Sequence, residues 1–206
     1  MTAKRKYEQR LRAERQDETR RRITEATATL HQEIGPAQTT ISAIAERAGV
    51  ERLTVYRHFP DEGELLQACQ QHFRAQHPLP DPTLWADIGD PAERLRIALV
   101  ALYAYYRDTD AMTANILRDA PLVPGLAAIL AGRNAYFAAL HAALAAGWNV
   151  AGEAQELLSA AIGHALDFET WRSLARRQRL SHEQTVALML RLVTSLVGDA
   201  ASISQT

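Results

Sequence analysis

Arg52, Thr54, Tyr56, Arg57 and His58 fall within seven residues, and each brings a hydrogen-bond donor or acceptor. Val55 and Phe59 are four apart, so on a helix they share a face and turn inward, leaving the polar set outward. Guanidinium groups and hydroxyls on one helix face match the phosphate oxygens and base edges of a DNA major groove. Just upstream, Ile41, Ile44, Ala45 and Ala48 repeat at helical spacing, and Gly49 follows as a stop that permits a sharp turn. A bracing helix, a glycine turn and a second short helix make a helix-turn-helix. The same arrangement also occurs as a plain helical hairpin inside a bundle. The density of polar groups on one face favours DNA.

Elsewhere the residues capable of chemistry are dispersed. His164 and Asp167 form an i,i+3 pair that could share a cation, but the pattern offers no third and fourth ligand. His141 and His164 lie on largely apolar segments, where a hydrogen-bonded core or pocket histidine is the ordinary role. The single cysteine, Cys69, excludes an internal disulfide and a Cys-rich zinc site, and its apolar neighbours make it a small buried hydrophobe. No nucleophile–base pair, paired-carboxylate site or glycine-rich phosphate loop stands out. The expectation is a protein that is not an enzyme and needs no cofactor or metal.

The elements that must position these groups are helices. Alanine, the best helix former, supplies 37 of the 206 residues, and no segment shows sustained strand alternation. Ile23, Ala26, Thr27, Leu30 and Ile34 trace one stripe, ended by Gly35-Pro36. Thr39 or Thr40 can cap the next helix, and Asp61 caps one carrying Leu65, Leu66, Cys69 and Phe73. Three prolines in His77-Pro78-Leu79-Pro80-Asp81-Pro82 mark a connector. Asp90-Pro91-Ala92-Glu93 reads as a helix start, with a further short helix expected to begin at Asp110 and stop at Pro121. Others are expected from about Pro124 to Ala146 and from near Val150 to Arg176, and Ser181-His182-Glu183-Gln184 is a capping box for the last, ending at Gly198. The sequence therefore predicts an all-α chain of about nine helices. It divides into a helix-turn-helix domain over 1–76 with a basic N-terminal arm, a connector over 77–89, and a helical domain over 90–206.

Charge divides the same way. Residues 1–60 hold 12 Lys/Arg against 8 Asp/Glu, whereas residues 61–206 hold 11 against 16. The first 22 residues carry 9 against 4, which suits phosphates or a minor groove if the segment is a flexible arm, and a solvated helix extension if its acids pair with its arginines. The start of the chain is charged where a signal peptide needs an apolar stretch, and the longest uncharged run, Asn134 to Gly152, is too polar and alanine-rich to span a bilayer. A cytoplasmic protein with no membrane partner is expected.

The run Thr40-Ile41-Ser42-Ala43-Ile44-Ala45-Glu46-Arg47-Ala48-Gly49-Val50, then Thr54-Val55-Tyr56-Arg57-His58-Phe59, then Glu64-Leu65-Leu66, resembles the DNA-binding domain of the tetracycline-repressor (TetR) family. The match covers about 45 residues, Ile23 to Leu66. The resemblance implies that Thr40 contacts a phosphate, that Arg52 and Thr54 face bases, that Tyr56 reaches a phosphate and that His58 lies by the backbone. Arg57 and the arm residues Lys4, Arg5 and Lys6 join this DNA-binding set. Two positions depart from the family pattern. Leu53 stands where a small or turn-forming residue is usual, and can either meet a thymine methyl or shield the turn. Gly63 stands where the family favours a lysine, which removes a phosphate contact.

For the remainder, the resemblance implies a small-molecule pocket and a homodimer formed through the last two long helices. The aromatic residues beyond position 84 serve either as core or as pocket wall. The expected wall is Tyr103, Tyr106, Met112, Asn115, Phe137, His141, His164 and Phe168, receiving a largely apolar effector. The last helix is apolar nearly all round and so needs cover on every side, which a partner subunit would supply. A charge at Val193 is expected to dissociate that dimer or unfold it. The resulting expectation is a ligand-responsive, sequence-specific transcriptional regulator, a repressor released from its operator by a small molecule. The rival is a helical small-molecule-binding protein or enzyme that retains a structural helix-turn-helix.

Overall fold

A computed structural model describes the backbone of residues 3–203 and the side chains of residues 5–197. Ten α-helices and no strand occur among the described residues. They are α1 (Ala3–Glu33), α2 (Ile41–Ala48), α3 (Arg52–His58), α4 (Glu62–Gln76), α5 (Thr83–Ala86), α6 (Pro91–Asp119), α7 (Leu126–Ala145), α8 (Glu153–Leu166), α9 (Phe168–Arg172) and α10 (His182–Ile203). Ten stand against the nine or so expected because two expected helices merge into α6, one divides into α8 and α9, and a short turn, α5, which buries Trp85, forms inside the proline-rich connector.

The predicted caps form. Thr40 Oγ1 accepts from the Ala43 amide at 3.1 Å, and Asp90 Oδ1 accepts from the Ala92 amide at 3.1 Å. At the start of α10 the Ser181 amide donates to Gln184 Oε1 at 2.8 Å while Ser181 Oγ accepts from the Gln184 amide at 3.2 Å, a reciprocal box.

Four boundaries differ from the sequence reading, the simplest being that α10 runs through Gly198, where a stop was expected, to Ile203. Asp110 does not start a helix: α6 runs through it for 29 residues, and its carboxylate pairs with Arg176 at 2.7 Å and Arg172 at 3.4 Å. Aspartate is a weak helix former but not a breaker, so an ion-paired Asp is tolerated mid-helix. The long helix expected to reach Arg176 is interrupted at Asp167, which is extended and caps α9 by accepting from the Glu169 and Thr170 amides at 2.8 and 3.1 Å. A π-helical turn over Ser173–Arg177 then finishes that segment. The basic N-terminal stretch is helical from Ala3 onward and continuous with α1, not a flexible arm.

The chain forms two compact units. The first comprises Met1–His77 and Ala111–Leu130, the second Pro78–Asp110 and Ala131–Thr206. The change at His77–Pro78 falls where the prolines stand. The inclusion of Ala111–Leu130 in the first unit has a physical cause: the C-terminal end of α6 satisfies the orphan carbonyls at the end of α1. Asn115 Nδ2 donates to the His31 and Gln32 carbonyls at 3.0 and 2.9 Å, and Arg118 Nη2 donates to that of Ile34 at 2.9 Å. Asp119, 2% exposed, accepts from the Ala37 amide at 3.0 Å and pairs with Arg118.

The first unit has its own core: Ile23, Ala26 and Leu30 of α1, Ile44, Ala45 and Ala48 of α2, Val55 of α3, Phe59, and Leu65 of α4. The second is built on Leu95, Leu99, Leu102, Tyr103 and Tyr106 of α6, Leu140 and Leu144 of α7, Leu158 and Ile162 of α8, Phe168 and Trp171 of α9, and Val186, Met189 and Val193 of α10.

Candidate nucleic-acid interface

The helix-turn-helix is α2, the Gly49 turn and α3. Gly49 adopts φ 64°, ψ 42°, the left-handed region that favours glycine, and closes α2 with bonds from its own amide to the Glu46 carbonyl at 3.1 Å and from the Val50 amide to the Ala45 carbonyl at 2.9 Å. A Cβ here would lie 2.9 Å from Arg22 Nη2, so the guanidinium would have to shift.

Two arginines of α1 fix this motif. Arg22 donates from Nη2 to the Ala48 carbonyl and, at 3.1 Å, to that of Gly49, so it clasps the turn. Arg20 donates from Nη1 to the His58 carbonyl at the end of α3, and its guanidinium carbon lies 3.9 Å from the centre of the Phe59 ring. A bidentate pair joins α1 to α2, with Arg47 Nη1 and Nη2 reaching the two Glu33 carboxylate oxygens at 3.0 and 2.8 Å. That pairing holds the Glu33 carboxyl below its ordinary value.

The recognition face of α3 stands clear of this scaffold. Val55 is buried completely and Phe59 is 3% exposed, while Arg52, Leu53, Tyr56 and Arg57 are exposed and Thr54 and His58 half-exposed. Partial burial, then the guanidinium groups of Arg57 and Arg20, pushes the His58 imidazole below its ordinary value. Thr40 is exposed at the start of α2, and its capping bond uses only an oxygen lone pair, leaving its proton for a phosphate. Every expected DNA-facing residue from Thr40 to His58 is thus at least partly exposed. Gly63 lies in the first turn of α4, where its amide donates to Asp61 Oδ1 at 3.0 Å.

Along α1 the acids and arginines pair as the helix-extension reading expects. Arg10 meets Glu14 at 3.2 Å, and Arg21 meets Glu18 at 2.7 Å and Glu25 at 2.5 Å. Arg5 and Lys6 are exposed, and the side chain of Lys4 lies outside the described residues. Arg20 and Arg22, counted in sequence as part of the basic stretch, are scaffold residues. Their roles carried no local signal, since their partners are 26 to 38 positions away.

The residues expected to line one pocket are dispersed. Tyr103, Tyr106 and Phe168 are at most 1% exposed. Tyr106 meets Phe168 edge-on at 5.3 Å, Trp171 at 5.7 Å and Phe137 at 6.3 Å. The Tyr103 and Tyr106 hydroxyls donate to the Ala165 and Leu166 carbonyls at 2.8 and 2.6 Å, and burial pushes both phenols well above their ordinary value. Arg133 lies 4.5 Å from the Phe137 ring centre. His141 lines an open cleft with Ser159 and Gly163 and meets the Ser159 carbonyl at 2.8 Å. His164 lines another with Asp167, Thr170 and Met189. Met112 and Asn115 belong to the first unit, and the Asn115 amide group is already occupied there. Oδ1 of Asp167 caps α9, and no group of three side chains that could hold a metal ion occurs among the described residues.

Residues 23–69 match the family model described as bacterial regulatory proteins, tetR family. A stretch of 123 residues is 32% identical to an uncharacterized HTH-type transcriptional regulator of Mycobacterium tuberculosis, and it spans 59% of this chain and 59% of that relative. A stretch of 64 residues is 41% identical to the HTH-type transcriptional regulator TtgR of Pseudomonas putida, and it spans 31% of this chain and 30% of that relative. A TetR-like transcriptional regulator from Rhodococcus sp. RHA1 superposes with a TM-score of 0.62 at 18% identity, over 85% of this chain and 93% of that one. A TetR transcription regulator from Haloarcula marismortui gives 0.57 at 18% identity, over 89% and 98%. At such identities these structures share the fold. No described helix is long and apolar enough to cross a membrane.

Proposed function

We propose, from the match of residues 23–69 to the family model of bacterial regulatory proteins, tetR family, that the chain is a sequence-specific DNA-binding transcriptional regulator acting in the cytoplasm. The observation that carries this reading is the exposed face of α3, held outward by Arg20 and Arg22 while Val55 and Phe59 anchor it from beneath. Arg52 and Thr54, near the N-terminus of α3, reach base edges. Tyr56 and Thr40 bind phosphates and set the register, with Arg57, His58 and the Arg5–Lys6 end of α1 adding contacts to the backbone.

The regulator is a homodimer. Leu157 on α8 and Leu192 on α10 are each 50% exposed, and a two-fold mate of the same helices would cover both. Two recognition helices must then reach successive major-groove faces about 34–36 Å apart on a near-palindromic operator. The chain acts as a repressor, and a small, largely apolar effector releases it. The aromatic group Tyr103, Tyr106, Phe137 and Phe168 supports an effector site in the second unit, which the ligand enters by parting rings that otherwise pack together. His141 and His164 line two other clefts, and Met112 and Asn115 belong to the first unit. A ligand shifts the equilibrium only through preference for the form that does not fit DNA, a coupling of about 1–3 kcal/mol in typical cases.

Fluorescence anisotropy with the upstream region of the protein's own gene and a scrambled duplex, at ~150 mM salt, tests the DNA reading. Tighter binding to the genuine duplex is expected, and equal affinity for the two would defeat it.

A further inference from the structure

Leu53, 75% open, is the most exposed large hydrophobic side chain among the described residues. A lone exposed leucine is ordinary on a protein surface, so its place matters more than its exposure. It is the second residue of α3. At about 100° per residue, Leu53 and Arg57 stand roughly 160–200° from Val55, on the pole opposite the buried seam of Val55 and Phe59. Thr54 and Tyr56 fall on the two flanks, roughly 100° either side of Val55. The middle of the outward face is therefore an isobutyl group, with a guanidinium one turn further on. The turn itself is held by Arg22, which donates to the Ala48 and Gly49 carbonyls, and Phe59 lies beneath Arg20.

Of the four bases only thymine offers a methyl group in the major groove. An apolar side chain recognises it by expelling water from both surfaces. Cytosine at the same place would present an amino donor with no partner on Leu53, and an unmet, desolvated donor is unfavourable. We propose that Leu53 determines specificity by packing on the C5-methyl of a thymine in each operator half-site, an inference that rests on the DNA-binding reading above. Arg57, on the same pole, flanks the contact. The remaining α3 side chains set register and read neighbouring bases by hydrogen bonds, whereas this position selects by shape and dryness.

The test uses the full chain. A preferred duplex is obtained by selection from random sequence, and each thymine in turn is replaced by deoxyuridine, which removes the methyl and leaves every hydrogen-bonding group in place. One thymine per half-site should respond, with affinity falling about fourfold, the worth of one buried methyl-sized group. Leu53→Ala, which loses the contact in both half-sites, should bind the unmodified duplex about as weakly as the wild type binds a duplex substituted in both, and should be indifferent to deoxyuridine there. Leu53→Met, which keeps an apolar contact, should retain the response. Both variants should melt with the wild type, because the side chain is exposed. Insensitivity of the wild type to every replacement, or a Leu53→Ala protein that still distinguishes thymine from deoxyuridine at that position, overturns the proposal. Selection that enriches no sequence overturns the DNA reading itself, and this inference with it.

Discussion

The Arg20 guanidinium lies 3.9 Å from the centre of the Phe59 ring while donating to the carbonyl of His58, so one α1 side chain grips the C-terminal end of α3. A basic residue in a DNA-binding domain is here a scaffold element. Arg20→Ala should weaken specific binding through misplacement of α3, and should lower stability by about 0.5–1 kcal/mol, the scale of an exposed cation–π contact. Urea melts paired with anisotropy decide the matter. An Arg20→Ala protein with unaltered stability, and a loss of affinity equal on specific and scrambled DNA, would instead mark Arg20 as a phosphate ligand.

Base-reading and phosphate-binding residues should part company on mutation. Arg52→Ala should relax base preference, at roughly 1–3 kcal/mol if it contacts a guanine. Tyr56→Phe should reduce affinity for specific and scrambled duplexes alike, since a phosphate contact carries no base information. The two variants compared on both duplexes give the check.

The dimer expectation needs a change of target. Val193 is 1% exposed and faces the core of its own subunit, so Val193→Glu should unfold the second unit by burying an unpaired charge. Leu192, its neighbour, is half-exposed, as is Leu157. Leu192→Glu or Leu157→Glu should yield a folded monomer. Light scattering and circular dichroism together distinguish these outcomes, and a wild-type monomer at micromolar concentration would rule out the dimer.

His31 gives the first unit an acid sensitivity. Burial pushes its imidazole down to about 4, against the opposing pull of Asp119, and its Nδ1 lies 3.5 Å from the buried Cys69 thiol. The unfolded chain takes up a proton near pH 6.5 that the folded one refuses. Stability is therefore full above about 6.5 and falls as the pH drops toward about 4, by at most about 3 kcal/mol. Urea unfolding at pH 7, 5.5 and 4.5 should show the fall in the wild type and a much flatter profile in His31→Leu. Parallel profiles would assign the sensitivity to other groups.

The local grammar of the helices was legible in the sequence because it depends on contacts three or four residues apart. The stripe on α1, the Thr40 and Asp90 caps, the Gly49 stop and the reciprocal box at Ser181 are all of this kind. So was the polar face of α3, since Val55 and Phe59 alone settle which side turns in. Tertiary structure decided what spacing cannot encode. Asp110 remains inside α6 because Arg172 and Arg176, more than 60 positions away, pair with it, while Asp167 breaks its helix by turning back to cap the next. On α10, apolar nearly all round, no periodicity separates Val193 from Leu192; packing against the rest of the second unit does. Arg20 and Arg22 are indistinguishable from the other basic residues of α1 until the fold brings the ends of α2 and α3 within reach of their guanidinium groups, because a long flexible cation takes whichever carbonyl the chain's path delivers to it.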